Sequence, residues 1–300
     1  MDYFLELFFS GLTRGSIYAL IALGYTMVYG ILELINFAHG EIYMIGAFTG
    51  LIAASLLLPS GLPAGLVLAL AAGAAVAWAA AWGLAVERIA YRPLRAAPRL
   101  APLISAIGVS ILLQNFVLLA QTPDFVSFPN LVPEPAWLEP YAGFLGATEL
   151  AILAVTAAAM LGLTLFVRGT RTGRAMRAVA QDRTMALLCG VDVDRVVAVT
   201  FAVGSALAAL GGVLIGSHVG QINFAIGFLA GIKAFTAAVL GGIGSIPGAV
   251  LGGFVLGWAE SFAAGYVSSA YEDAFAFCLL VLVLIVRPSG LLGRPSGGKV

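Results

Sequence analysis

The sequence predicts an all-α, polytopic membrane helical bundle of about nine spans with an inverted internal repeat. An apolar composition, a repeated motif and the placement of the arginines carry that prediction. Hydrophobic residues make up 61% of the chain and charged residues only 10%, with a mean hydropathy of +1.03. Soluble domains carry about a quarter charged residues. Several apolar stretches reach the ~20 residues that cross a ~30 Å hydrocarbon core. Such stretches must be helical, because a helix satisfies its backbone hydrogen bonds internally. The 37 glycines suit close helix packing in lipid.

Apolar stretches between breaks place the spans near residues 12–32, 42–58, 63–86, 102–121, 147–167, 196–218, 228–240, 247–266 and 274–286. Residues 1–12 lack basic residues ahead of an apolar stretch, and Arg14 interrupts the apolar core that a leader needs, so this start reads as a span rather than a cleaved leader. Arginines concentrate in two loops, at Arg88, Arg92, Arg95 and Arg99, then at Arg168, Arg171, Arg174, Arg177, Arg183 and Arg195. The tail adds Arg287, Arg294 and Lys299. The positive-inside rule puts all three regions in the cytoplasm. Residues 122–146 carry Asp124, Glu134 and Glu139, five prolines (Pro123 to Pro140) and no basic residue, which suits the outer face. Nine spans, N-terminus outside and C-terminus cytoplasmic, satisfy these constraints. The short segment 228–240 contains Lys233; as a re-entrant half-helix it leaves eight full spans but moves Glu272 and Asp273 inside, so nine is the expectation.

Ile35-Asn36-Phe37-Ala38-His39-Gly40 recurs as Ile222-Asn223-Phe224-Ala225-Ile226-Gly227, at an offset of 187 (222 − 35). Ala47, Phe48 and Thr49 return as Ala234, Phe235 and Thr236 at the same offset. Ala and Gly coincide freely in an apolar chain; Asn, two Phe and Thr in step point to a duplicated unit. Ser60-Gly61-Leu62-Pro63 against Gly244-Ser245-Ile246-Pro247 continues the match after a gap. The first copy starts in span one and the second in span six, so the copies face opposite sides. The repeat halves fall at about 12–121 and 196–287, within a single domain of 1–300, with a linking span near 147–167 and a cytoplasmic loop at 168–195 between them. Inverted repeats mark transporters, because two equivalent conformations open one site to opposite sides.

Gly15-Ser16-Ile17-Tyr18-Ala19-Leu20, then Gly24-Tyr25-Thr26-Met27-Val28-Tyr29-Gly30, leads into Ile35-Asn36-Phe37-Ala38-His39-Gly40-Glu41. Near the other end stands Phe235-Thr236-Ala237-Ala238-Val239-Leu240-Gly241-Gly242-Ile243-Gly244-Ser245-Ile246-Pro247-Gly248. Between them lies Gly173-Arg174-Ala175-Met176-Arg177-Ala178, succeeded by Asp182 and Gly190. Over essentially the whole chain these residues resemble the membrane permease subunits of ABC importers for branched-chain amino acids, the Liv type. Permeases for urea, short amides or other amino acids share the motifs. The resemblance implies a bacterial inner-membrane location and four kinds of neighbour. These are a second permease (homologous or identical), two cytoplasmic ATPase subunits, an extracytoplasmic solute-binding protein and membrane lipid. It implies no nucleic acid and no cofactor on this chain, with ATP used by the partner subunits. The middle motif is similar to the family's ATPase-docking loop, which implies coupling roles for Arg174, Arg177, Asp182, Arg183, Ala186, Leu187 and Gly190.

From the residues alone, the loop reads as a short amphipathic helix in which Met176, Val179, Met185, Leu187 and Leu188 accompany the charges. Such a helix inserts into a partner's groove or lies among lipid headgroups. Asn36 and Asn223 either present polar groups at half-helix ends or cap the next helix. Tyr18, Tyr25, Gln114, Asn115 and Thr236 join them as candidate path-lining residues. Glu33, His39 and Glu41 form an acid–histidine cluster that reads as a polar network at the cytoplasmic end of a span, and His218 stands alone. Neither has metal-site spacing. Arg14, Lys233 and Glu260 are charges within or near apolar segments, with Lys233 free to snorkel or to pair with Glu260. Cys189 and Cys278 lie in different settings, so no disulfide is expected. The run 241–248 lacks the Gly-Lys-Ser/Thr ending of a P-loop. With the resemblance, the expectation is an ATP-driven permease without its own ATPase site. An ion-coupled secondary transporter of small polar solutes needs mid-span acids, which are scarce. A membrane enzyme needs a converging acid, base or metal set, which is not found.

Overall fold

A computed structural model describes residues 2–95, 97–98, 100–135, 138 and 145–293. Of the residues singled out in the sequence, Arg99, Glu139, Pro140, Arg294 and Lys299 lie outside these. The helices are α1 (Asp2–Leu32), α2 (His39–Leu57), α3 (Ala64–Val86), α4 (Leu100–Ala120), α5 (Ala147–Gly169), α6 (Arg171–Gln181), α7 (Arg183–Leu188), α8 (Val193–Val219), α9 (Ile226–Gly241), α10 (Ile246–Tyr266) and α11 (Glu272–Val286). Two short strands, β1 (Val126–Ser127) and β2 (Gln221–Ile222), pair antiparallel.

Local chemistry sets the breaks. Gly61, in the left-handed region at φ 72°, closes the short turn Leu58–Ser60 after α2. The Asp192 side chain accepts from the Arg195 amide to start α8, and Ser245 accepts from the Gly248 amide to start α10. Each satisfies amides that a helix start leaves unpaired. The glycine run 241–248 is thus a helix break, as its sequence suggests.

The repeat is visible in the element boundaries. The first helix of each unit ends at Leu32 and Val219, and the second starts at His39 and Ile226, both pairs 187 apart (219 − 32, 226 − 39). The packing is matched as well: α1 lies on α10 as α8 lies on α3, and α2 lies on α3 as α9 lies on α10. Each unit's first helix is therefore buried against the other unit's third helix. At the α1–α10 crossing, Gly11 and Gly15 face Gly253 and Gly257. A Cβ on Gly15 would stand 2.7 Å from the Gly253 oxygen, so only glycine permits this backbone approach.

Helix α1 is buried from Gly11 through most of its length and forms the centre of the bundle. Helices α4, α5 and α11 form the rim and turn large apolar side chains outward, among them Leu112, Leu119, Leu161, Leu165, Val281 and Ile285. Side-chain bonds define the ends. The end of α1 meets Arg183, while Arg92 and Arg95 meet Asp194 at the start of α8, giving one arginine-rich end. The β1–β2 pair and the α1–α10 contact of Tyr3 with Gly265 belong to the opposite end. Helices α1 and α8 consequently run in opposite directions.

Among the described residues, eight helical segments are long and apolar enough to cross a membrane. Helix α9 has 16 residues, about 24 Å at 1.5 Å per residue, which is short of a bilayer core. The stretch from β2 through Asn223 and Ala225 leads into α9, and Gly244, just beyond α9, lies beside Gly30 at the arginine-rich end.

Candidate functional site at the meeting of two broken helices

After α1 ends, residues 33–38 fold back along it. The His39 ring lies on Tyr25, ring centroids 4.8 Å apart, about 10 Å back from the end of α1 by helix rise. Helix α2 therefore begins inside the bundle. Its lead-in is held by the Asn36 side chain, which accepts from the Ala38 amide at 3.2 Å and from the Tyr91 hydroxyl at 3.0 Å. Asn223 accepts from the Ala225 amide at 3.1 Å in the same way. Asparagine closes such turns by mimicking a backbone carbonyl two residues before the amide it binds. Both asparagines thus stand two residues ahead of the N-cap positions, Ala38 and Ala225, rather than capping the helices directly.

The two N-termini meet. A Cβ on Gly227 would lie 2.7 Å from the Gly40 oxygen, so repeat-related glycines touch at the point where the units cross. Helix N-termini carry positive partial charge, and the carboxyl of Glu41 stands at this meeting point. Its side chain is 0% exposed, lies against Gly227 and accepts from the Ser110 hydroxyl at 3.0 Å. The expected acid–histidine cluster is not formed. Glu33 is exposed at φ 56°, whereas His39 and Glu41 are buried, because the fold-back carries the last two away from the end of α1. His218 is not alone either; its Nδ1 lies 3.3 Å from Glu149.

The arginine-rich loop is two helices, not one. Thr170 accepts from the Gly173 amide and starts α6; Asp182 accepts from the Thr184 and Met185 amides at 2.8 and 3.0 Å and starts α7. On α6, Gly173, Met176 and Val179 are buried. Met176 and Val179 therefore anchor the loop to the bundle and are not free for a partner's groove. Arg174 is exposed and Arg177 donates to the Val167 oxygen at the end of α5. On α7, Ala186 is buried, whereas Leu187 and Leu188 are 63% and 76% exposed. Gly190, at φ 79°, closes the helix in the left-handed conformation. Arg183 turns inward and donates to the Ile31 oxygen from Nε and Nη2. Arg95 joins Glu87, in the π-helical turn Glu87–Tyr91, to Asp194. Arginine counting registered Arg95 only as a topological charge; the acids eight residues back and on α8 carry no periodic signal that links them.

Of the candidate path residues, Tyr25 and Asn36 flank His39, and Asn223 holds the equivalent turn. Thr236 is buried on α9. Gln114 and Asn115 lie elsewhere on α4, and Asn115 is exposed and donates to the Ile111 oxygen of its own helix. Tyr18 donates to Glu260 at 2.7 Å, and Lys233 pairs with Glu260 at 3.3 Å. Cys189 and Cys278 are free.

The profile of the family described as "Branched-chain amino acid transport system / permease component" matches residues 7–284. The chain belongs to that family. It is 51% identical to the high-affinity branched-chain amino acid transport system permease protein LivH of Salmonella typhimurium, over 99% of this chain and 98% of the relative. It is 52% identical to the corresponding permease protein BraD of Pseudomonas aeruginosa, over 99% and 98%. A probable branched-chain amino acid transport permease protein LivH of Methanocaldococcus jannaschii is 28% identical over 93% and 87%. The permease is a multi-pass membrane protein, with the broken helices α2 and α9 meeting inside its bundle.

Proposed function

We propose that this permease forms half of the translocation pathway of an ATP-driven ABC importer for branched-chain amino acids. A second permease, homologous or identical, supplies the other half. Two ATPase subunits dock on the arginine-rich end, which the positive-inside rule assigns to the cytoplasm, and a solute-binding protein delivers substrate to the opposite face. The N-terminus is then outside and the C-terminus inside. The substrate is inferred from the names of the relatives, which are branched-chain amino acid permeases.

The observation that carries the coupling is α7. Its outward face offers Leu187 and Leu188 to a partner while its first residue, Arg183, grips the end of α1. Movement of a docked ATPase is thereby passed to α1, then through the fold-back of residues 33–38 to the Gly40–Gly227 meeting point. Two units running in opposite directions supply two equivalent arrangements of that crossing, which is the basis of alternating access. ATP is hydrolysed by the partner subunits; this chain contributes the docking face and the moving helices.

The test expresses the permease with its host's second permease, ATPase and binding-protein subunits. The wild type is expected to copurify the ATPase and to support ATP-dependent leucine uptake, whereas Leu187→Glu/Leu188→Glu loses both without loss of the membrane-inserted permease. Uptake that persists without ATP and ATPase overturns the proposal.

A further inference from the structure

Helices α1, α2, α8 and α9, with Gln221 and Ile222 of β2, line an open cavity of ≈ 220 Å³ near the end of the bundle opposite the arginine-rich loops. Its walls include Ile17, Ile215, Ile222 and Leu229, and Arg14 and Lys233 also line it. Charge within an apolar segment is expensive and needs a local reason. Part of the reason is structural. Arg14 donates to Glu272 at 3.0 Å; Lys233 stands 2.6 Å from Asp273, 3.3 Å from Glu260 and 3.6 Å from Glu272. Tyr18 adds its hydroxyl bond to Glu260.

The arrangement is lopsided. The three acids stand behind the cations, and none of them lines the cavity; both cations do. Arg14 places Nη1 on Glu272, and a guanidinium has five N–H donors in a fixed fork, so donors remain for an anion arriving through the open volume. A structural ion-pair network alone has no need of a chamber in front of its cations, apolar over most of its lining but with Tyr18, Tyr43 and Gln221 also on its walls. A ligand that uses both parts has one carboxylate and a short aliphatic side chain.

Resting on the importer reading, we propose that this cavity is a way-station for a zwitterionic aliphatic amino acid on its way to the helix crossing. The carboxylate meets Arg14 and Lys233, and the side chain packs on Ile215, Val219, Ile226 and Leu229. The acids Glu260, Glu272 and Asp273 hold the cations in place and disfavour a ligand of greater negative charge. Ala230, which also lines the cavity one helical turn before Lys233, gives an uncharged handle.

The experiment replaces Cys189 and Cys278 by Ser, introduces Ala230→Cys, and measures maleimide labelling of the assembled importer in proteoliposomes. Leucine delivered by the binding protein is expected to slow labelling at least threefold, and arginine or glutamate not to slow it. Ala230→Phe, which fills the space, is expected to reduce leucine uptake at least tenfold while ATPase copurification is kept. Unchanged labelling in a complex that takes up leucine with ATP overturns the way-station, as does full uptake by Ala230→Phe. Leucine protection in a complex that neither binds ATPase nor uses ATP leaves the cavity assignment standing and removes the importer reading instead.

Discussion

The guanidinium of Arg183 closes on the carbonyl oxygen of Ile31, with Nε at 3.2 Å and Nη2 at 2.8 Å. The oxygen belongs to the last turn of α1, where helix carbonyls lack intrahelical partners and carry negative partial charge. One side chain thus fastens the start of α7 to the end of the most buried helix in the bundle.

Replacing Arg183 by Ala removes hydrogen bonds worth about 1.5–3 kcal/mol for a charged donor. Because the outward face of α7 is untouched, the ATPase is expected to remain bound while leucine uptake falls by an order of magnitude or more. ATPase pull-down and uptake, measured on the same membranes, separate the two effects. Arg183→Lys should recover only part of the uptake, since an ammonium cannot place two N–H groups in the guanidinium's planar fork. Equal loss of both readouts would make Arg183 a docking residue.

Asp182 acts on the docking face itself. Its side chain accepts from two amides at the start of a six-residue helix, and removing such a cap costs about 1 kcal/mol. A helix this short has little other support, so Asp182→Ala is expected to weaken ATPase copurification several-fold, while Asp182→Ser, which keeps an acceptor, stays near wild type. Reversal of that order would point to charge rather than capping.

How much of this could be read from the chain depends on the range of each interaction. The duplication was legible because Asn36 and Asn223 must close the same local turn, and local turns leave local motifs. The polytopic bundle was legible from the apolar stretches, eight of which form helices long enough to cross a membrane among the described residues, whereas the short α9 left the number of spans open between eight and nine. Two things were not. The fold-back that starts α2 inside the bundle depends on Gly40 and Gly227 touching across 187 residues (227 − 40), and an apolar pattern looks the same at any depth. The division of the arginine loop at Asp182 was hidden as well, because Met176 and Val179 satisfy a helical period whether they face the bundle or a partner.

The α1–α10 crossing sets a sharp steric condition. Gly15→Leu places a branched side chain where the Gly253 oxygen already lies within contact of a Cβ. Overpacking of this kind costs about 1–3 kcal/mol or more where backbone cannot yield. The expected result is a clear drop in the thermal midpoint of the detergent-solubilised protein, monitored by size-exclusion fluorescence. Gly108→Leu on α4, where a Cβ would meet nothing within 4 Å, should leave the midpoint nearly unchanged. A similar drop for both would show that the crossing does not decide, since leucine is a better helix former than glycine at either site.

The two asparagines allow the repeat to be dissected energetically. Asn36 is buried and its oxygen serves two donors, the Ala38 amide and the Tyr91 hydroxyl, whereas Asn223 is only partly buried and its oxygen serves the Ala225 amide. Asn36→Ala leaves a buried hydroxyl dependent on its longer contact with the Ile35 oxygen at 3.4 Å, and an orphaned buried donor costs about 1–3 kcal/mol. Asn36→Ala is therefore expected to destabilise the permease more than Asn223→Ala. Combining Asn36→Ala with Tyr91→Phe should recover part of the loss, because the orphaned hydroxyl is then gone, and the double-mutant cycle should give a coupling of about 1 kcal/mol. Additive losses would mean that Tyr91 packs against Phe201, ring centroids 5.2 Å apart, without contributing through Asn36. Equal effects of the two asparagine substitutions would assign the stability of the crossing to the repeated turn itself.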